Sequence, residues 1–569
     1  MLSWVRTYSK DKVSGDISAG LIVATMLVPQ SMAYAMLAGM PPVTGLYACI
    51  APVMLYAVFG SSNYLAVGPV AVVALMVAEI TSQFTAQGVG SYESIAVTLS
   101  MLCGLSMVLF SLLRFGVLAN FLSHSVIAGF INAACVLIIA SQLGHILGLD
   151  IGRGDSFLHT LQLISNNVTQ TNYAALAVSV VTFVILFVFS KPLAGWLQNM
   201  PGSQLHIYIT RLGPLLVVVL GCIATWLLSL ETDYQLAIVG EVPTGLPGLF
   251  VPAFDTATWL TLLPAALLIA FVSYLESISI GRSLASKRRE KVKPNQELFA
   301  IGTANIASAL SSSFAVGGGF ARSGVNFSAG ANTPMASLIT SALMLLTLIF
   351  FAPLFYHLPS AVLAVIVCMA VINLFDMKSI VEAWKFNRAD AISSIVTFVL
   401  VLAVGVEQGI LGGVLLSLGL YLWRTSQPHM AIVGRVGDTQ HFRNVERHKV
   451  RTEPNIIAIR IDESLYFANA HALETKILSL ITKQKDVSHV VLICSAVNFI
   501  DFSALDTLEG IREKLHDAGV LLHLAEVKGP VMDKLRQTDF YSNLGEGKVF
   551  LSTHDAFKEL EIEYTDYHI

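Results

Sequence analysis

From Asp16 to Arg114 the chain carries four charged residues: those two, Glu79 and Glu93. A run that long with so few charges cannot be the surface of a water-soluble fold. It breaks instead into stretches of the length that a bilayer demands of a helix, about 20 mostly apolar residues. Ala174 to Ser190, Pro214 to Leu230, Ala257 to Tyr274, Leu338 to Tyr356 and Ala391 to Val406 contain no charge at all. Shorter or interrupted stretches bring the number of candidate spans to about twelve to fourteen, and Leu118 to Leu147 is long enough to be bent. Only 13% of the 569 residues are charged, against about 25% in soluble domains. The net charge of −4 and the lack of basic stretches interleaved with aromatics give no support to a nucleic-acid partner.

The charges that do occur suggest one orientation. Arg114, Lys191, Arg211, the run from Arg282 to Lys293, and Lys378, Lys385 and Arg388 fall in alternate connections. All of them lie on the cytoplasmic side if the N-terminus does. The loops near Asp150–Asp155 and Glu231–Asp255 are poor in Lys and Arg and fall outside; Asn167-Val168-Thr169 in that region matches a glycosylation acceptor, a tripeptide that recurs by chance. The first fifteen residues have no signal-peptide core and read as a short amphipathic cytosolic segment with Arg6, Lys10 and Lys12. The six cysteines stand alone, in neither CxxC nor metal-ligand spacing, and read as small buried apolar residues.

One apolar stretch makes a poor membrane helix. In FAVGGGFARSGVNFSAGAN, Phe314 to Asn332, three consecutive glycines precede Arg322 and Ser323. Glycine weakens helix continuity, and a charge at that depth costs roughly 2.5–3.5 kcal/mol on insertion scales and usually marks a substrate path. A broken segment leading into a short helix offers free N–H groups and a positive dipole end to an anion. A similar breaker, Ala66-Val67-Gly68-Pro69, lies in the first half of the chain. Each breaker follows a helix with an unexpected polar residue: Gln30 in the first half, Glu276 in the second. Paired interrupted segments in two halves point to a transporter site at the midplane. Gln30 and Tyr34 are four apart and share a helix face; helix–helix hydrogen bonding is the alternative use for them. Glu276 follows about twenty uncharged residues. It is a candidate proton carrier, or else one half of a static pair with Arg322. Arg322 can bind an anion directly, set the local field, or snorkel to the interface. Glu79, His124 and His145 read as interfacial or structural. No Walker, HExxH or nucleophile-elbow pattern is present, so neither an enzyme nor a cofactor is expected.

From Asn455 onward β-branched runs alternate with helical ones: strands at 456–461, 490–494, 520–525 and 549–551, with helices between them and after His554. This pattern predicts a small cytosolic α/β domain. The expected organisation is a cytosolic segment 1–15, a transmembrane domain 16–427 with halves about 16–230 and 257–427, a linker 428–440 and the α/β domain 441–569.

Four stretches, VPQSMAYAMLAGMPPVTGLYA, AVGPVA, NQELFAIGTANI and ARSGVNFSAGA, resemble the SulP (sulfate permease) family of anion transporters, and the C-terminal part resembles a STAS domain. The resemblance runs from about Asp16 to the end of the chain. It implies a polytopic α-helical membrane protein of fourteen segments in a seven-plus-seven inverted repeat, with core and gate domains. It also implies a homodimer in the plasma membrane with cytoplasmic termini, and an elevator-like motion of the core. On the matching positions, Gln30 and Tyr34, Val67 and Gly68, and Phe320, Ala321, Arg322 and Ser323 are the implied substrate site, with Glu276 as the proton-coupling position and Pro69 completing the first breaker. Many members carry hydroxyl residues where this chain has Gly317, Gly319 and Ala321, so the pattern says "anion" more firmly than "sulfate". The expected function is proton-coupled sulfate symport; the alternative is an exchanger or sodium-coupled carrier of bicarbonate or chloride. Asn498 to Leu505 resembles the phosphoserine loop of anti-sigma-factor antagonists. Ser503 stands in the place of their serine, and a regulatory protein is a possible partner there. A plain helix N-cap at Ser503 is the competing reading.

Overall fold

The computed structural model describes residues 4, 8–116, 123–151, 157–190, 212–250, 255–484 and 486–566. Lys191, Arg211, Arg6, Asp155 and the start of the Leu118–Leu147 stretch lie outside them; the described part of that stretch is one helix. The chain forms two compact units, Met1–Ser417 and Leu418–Ile569.

The first unit is helical. Its elements are α1 (Lys10–Leu37), α2 (Pro42–Tyr47), α3 (Ala51–Phe59), β1 (Val67–Gly68), α4 (Ala71–Ala86), α5 (Tyr92–Leu112) and α6 (His124–Leu147). There follow α7 (Phe157–Asn167), α8 (Tyr173–Ser190), α9 (Gly213–Leu227), α10 (Thr256–Lys287), α11 (Pro294–Leu310), β2 (Gly317–Gly318) and α12 (Phe320–Ser328). The unit ends with α13 (Met335–Leu346), α14 (Ser360–Ile372), α15 (Met377–Phe386), α16 (Arg388–Val404) and α17 (Val406–Ser426), the last of which runs on into the second unit. Among the described residues, eight helices are long and apolar enough to cross a membrane, or nine if the bent pair α7–α8 counts as one span. α12, with nine residues, reaches only about 14 Å, less than half of a bilayer core.

The helix ends follow local chemistry. Asp255 caps α10, Asp376 caps α15 and Asn387 caps α16, each side chain accepting from main-chain N–H groups of the first turn. The packing sorts the helices into two groups. In the first, α11 lies against α5 and α3, α13 against α1 and α3, α10 against α5, and α12 against α1. In the second, α14 and α16 lie against α6, α14 against α8, and α9 against α8. A seam joins the groups where α1 meets α9 and α14 and where α4 meets α6. Within the first group Ser100 on α5 donates to the Asn305 carbonyl on α11, a small-residue contact of the kind that joins helices in lipid.

The second unit contains a six-stranded sheet in the order β4-β3-β5-β6-β7-β8. Its elements are β3 (Met430–Arg435), β4 (Phe442–Asn444), β5 (Ile456–Ile461), α18 (Ala470–Lys483), β6 (His489–Ile493), α19 (Phe502–Asp517), β7 (Leu521–Ala525), α20 (Gly529–Leu535), β8 (Val549–Phe550) and α21 (Thr553–Asp566). β5 to β8 pair in parallel, which the βαβ alternation predicts. The stretch 428–440, expected as a linker, is not one. β3 pairs antiparallel with β5, from Met430↔Ile461 to Ile432↔Ile459, and with β4. Its alternating burial puts Ala431 and Val433 in the core, a short signal that the flanking polar residues obscure. The N-cap expectation at Ser503 is also corrected. Asp501 caps α19 by accepting from the Ala504 N–H at 2.8 Å, and Ser503 sits exposed in the first turn.

A buried histidine pair closes this sheet. His523 Nδ1 accepts from the Lys548 N–H at 3.1 Å, so its proton sits on Nε2, which lies 3.1 Å from His489 Nδ1. Burial, and then the neighbouring His489 and Lys548, push the His523 pKa down to about 3. The folded state therefore holds the neutral ring, while the unfolded chain takes up a proton near pH 6.5. The resulting stability is complete above that pH and falls as pH drops toward the folded value, by about 1.4 kcal/mol per unit. Circular-dichroism melts of the second unit should show it about 2 kcal/mol less stable at pH 5 than at pH 7 on this account, with a flatter dependence for His523→Gln.

Candidate anion site

Two short extended segments cross in the middle of the first helix group. β1 pairs antiparallel with β2, Val67↔Gly318 and Gly68↔Gly317, and Gly319 N–H donates to the Ala66 carbonyl at 3.0 Å. Each segment turns at once into a helix, α4 from Ala71 and α12 from Phe320. Neither helix has a side-chain cap at its start, since Val70 and Gly319 occupy those positions. The first-turn N–H groups have no intrahelical acceptor, so two positive dipole ends meet at the crossing.

The crossing is braced from α10 and α11. Ser277 Oγ accepts from the Gly318 N–H at 2.7 Å, and Ser273 Oγ donates to the Val316 carbonyl at 2.9 Å. Asn305 bonds both main-chain groups of Val316, at 2.9 and 3.0 Å. The glycines are required by close approach: a Cβ at Gly317 would lie 2.7 Å from Ser273 Oγ, and one at Gly318 would lie 2.7 Å from Leu65. On the other side Ser323 Oγ accepts from the Ala66 N–H at 2.9 Å, and Asn326 Nδ2 donates to the Tyr64 carbonyl.

Arg322 reaches back across the crossing. It is 2% exposed, and its Nη1 donates to the Pro69 carbonyl at 2.6 Å. Its Nε and Nη2 are buried and have no hydrogen-bond partner among the described residues. A guanidinium with two unused donor nitrogens, beside two uncapped helix starts, has the chemistry to receive a compact anion. The static ion pair with Glu276 that the sequence leaves open is not formed: no Arg322–Glu276 bridge occurs among the described residues, and a carbonyl takes the hydrogen bond instead. The two groups are near enough to feel each other's charge.

Gln30 and Tyr34 lie buried on α1, which runs unbroken through Pro29, and neither side chain makes a hydrogen bond to protein among the described residues. Tyr34 and Cys49 both lie within the field of Arg322. Val67 and Gly68 form β1, while Phe320 and Ala321 are exposed on the first turn of α12. Glu276 stands on α10 at the wall of a cavity of about 20 Å³, room for about one water. The cavity is otherwise apolar, closed by Val72 of α4, Val126 and Phe130 of α6, and Ile410 of α17, so Glu276 faces the seam between the helix groups.

Sequence reasoning missed the bracing residues. Ser273 and Ser277 are four apart and share a helix face close to Glu276, a signal legible in the sequence. Asn305 and Glu297 sit inside NQELFAIGTANI, where nothing local announces their partners. Glu297 is fully buried and accepts from Tyr56 Oη, the Ser61 N–H and Oγ, and the Ser62 N–H, at 2.6 to 2.9 Å. It fixes the turn that leads from α3 to β1.

A sequence model described as the sulfate permease family matches residues 13–397, and one described as the STAS domain matches 447–556. The chain belongs to the sulfate permease family. It is a multi-pass membrane transporter of that family, not an enzyme, with a C-terminal STAS domain. It is 33% identical over 566 residues to probable sulfate transporter 4.2 of Arabidopsis thaliana, covering 97% of this chain and 82% of that protein. The solved structure of SLC26A9 superposes with a TM-score of 0.88 at 25% identity, covering 100% of this chain and 93% of that one. The transmembrane domain of a cyanobacterium bicarbonate transporter, BicA, shares the fold at 22% identity and a TM-score of 0.60, covering 72% of this chain and 99% of that one.

The bracing can be tested apart from transport. Asn305→Ala leaves the buried Val316 N–H without its acceptor and should cost about 1–3 kcal/mol, read as a lowered melting temperature of the purified sulfate permease. The exposed Asn373→Ala should stay within about 0.5 kcal/mol.

Proposed function

We propose that this sulfate permease is a proton-coupled sulfate symporter that works by alternating access, with the anion held at the crossing of β1 and β2. One observation carries the proposal: Arg322 presents two unpaired donor nitrogens between two uncapped helix starts. Arg322 and the first-turn N–H groups of α4 and α12 bind the oxyanion. Gln30 and Tyr34 approach it from α1, with Val67, Gly68, Phe320 and Ala321 shaping the rest of the cradle. Ser323 supports the cradle from behind, because its hydroxyl oxygen is spent on Ala66.

Glu276 is the proton carrier. Moving a divalent anion into a negative interior costs about 4.6 kcal/mol per 100 mV, twice the cost for one charge, and cotransported protons offset it. The position of Glu276 on the seam suits a group that must be loaded on one side and unloaded on the other. An elevator motion is supported by the sorting of the helices, since the site lies within one group and the seam runs beside it. The N-terminus and the STAS domain lie in the cytoplasm, on the side of the Arg282–Lys293 run, in a plasma membrane. The protein acts as a homodimer, and the STAS domain offers a regulatory protein its docking surface.

Bicarbonate or chloride carriage is the second reading. It is favoured by the absence of side-chain hydroxyls at Gly317, Gly319 and Ala321. Uptake of labelled sulfate into proteoliposomes separates the two. An inward proton gradient should stimulate uptake by the wild type, and Glu276→Gln should lose the stimulation while still binding sulfate. Uptake indifferent to both the gradient and the mutation would remove the coupling role, and competition by bicarbonate but not by sulfate would favour the second reading. Arg322→Ala should weaken sulfate affinity at least tenfold, about 1.4 kcal/mol, with the fold retained; unchanged affinity would take Arg322 out of the site.

A further inference from the structure

Glu79 is a carboxylate in the membrane unit that the transport chemistry leaves unused. It lies on α4, seven residues beyond Val72 and therefore about two helical turns further along nearly the same face. Val72 meets Ile410 of α17 at the Glu276 cavity. Two turns away, Glu79 Oε1 accepts from the Val406 N–H, the first residue of α17, at 3.1 Å. The side chain thus caps the positive end of a 21-residue helix.

The chain is shaped to allow this contact. Gly405 has φ +114°, a conformation that side chains rarely adopt, and a Cβ there would come within 2.7 Å of Glu79 Oε1. The charged neighbour of Glu79 on α17 is another carboxylate, Glu407, which cannot take the place of the helix end as its partner. α4 belongs to the helix group that carries the site. α17 belongs to the other, because Gly409 and Gly413 rest against Val401 and Thr397 of α16. The Glu79–Val406 bond therefore crosses the seam.

We propose that Glu79 is a positioning residue of the transport cycle, a latch that ties the site-bearing helix group to the start of α17 and holds the conformation described. This rests on the alternating-access reading. Sliding of one group past the other separates Glu79 from Val406, and both groups must then find other partners. The resting balance between the two facing states is set in part by this bond, so its loss shifts the apparent affinity in opposite senses on the two membrane faces.

The test uses full-length protein with two variants that break the latch from opposite ends. Glu79→Ala removes the acceptor. Val406→Pro removes the donor N–H at a first-turn position, where proline is tolerated. Labelled sulfate KM and maximal rate are measured in right-side-out and inside-out vesicles, and hydrogen exchange is followed over residues 404–410. Both variants should shift KM about threefold or more in opposite directions on the two faces, and Glu79→Ala should also speed exchange at Val406. Faster exchange with KM unchanged, or changed in the same direction on both faces, would overturn the latch and leave a structural cap. Wild-type protein that moves none of sulfate, bicarbonate or chloride would overturn the transport reading and the latch with it.

Discussion

The membrane unit depends on four residues of antiparallel pairing, Val67 with Gly318 and Gly68 with Gly317. Extended backbone inside a bilayer has polar groups that lipid cannot satisfy. Here the two segments satisfy part of that need for each other, and Ser273, Ser277, Asn305 and Ser323 supply the rest. The first-turn N–H groups of the two following helices are left over. Those unsatisfied donors, with Arg322 between them, are the groups that the proposed anion site rests on. Stability and function therefore divide the polar groups of one small region between them.

The same division explains why so many buried polar residues are not ligands. Glu297 is fully buried and fully bonded, with its acceptor capacity directed at the turn into β1. Asp16 is likewise buried and holds the start of α13 through Asn332 and Thr333. Glu276 differs from both in having no hydrogen-bond partner among the described residues and in facing a small cavity at the seam. A satisfied carboxylate is a brace. An unsatisfied one at the boundary between two helix groups suits the proton-carrying role proposed for it.

Much of the fold was legible because its signals are local or periodic. The apolar stretches, the βαβ alternation after Asn455 and the two glycine breakers need only neighbouring residues to be read. β3 was not legible as a strand, because a six-residue run derives its identity from β5, to which it is hydrogen-bonded. The cap of α19 went to Asp501 and not to Ser503, because the helix starts at Phe502 and leaves Ser503 inside its first turn.

The sequence by itself determined that this is a polytopic membrane protein with a small α/β appendage, and that two breakers, Arg322 and Glu276 lie at unusual depth. Apolar length, charge depletion and glycine clustering are properties of neighbouring residues, so they need no fold to be seen. Only the tertiary structure decided what those residues touch. It turned Arg322 toward the Pro69 carbonyl and away from a bridge with Glu276, and spent Ser323 on Ala66. It also placed Glu79 against the start of a helix more than three hundred residues away in the chain. Such partners are set by packing between distant segments, and a buried donor or acceptor takes whichever partner that packing brings within reach.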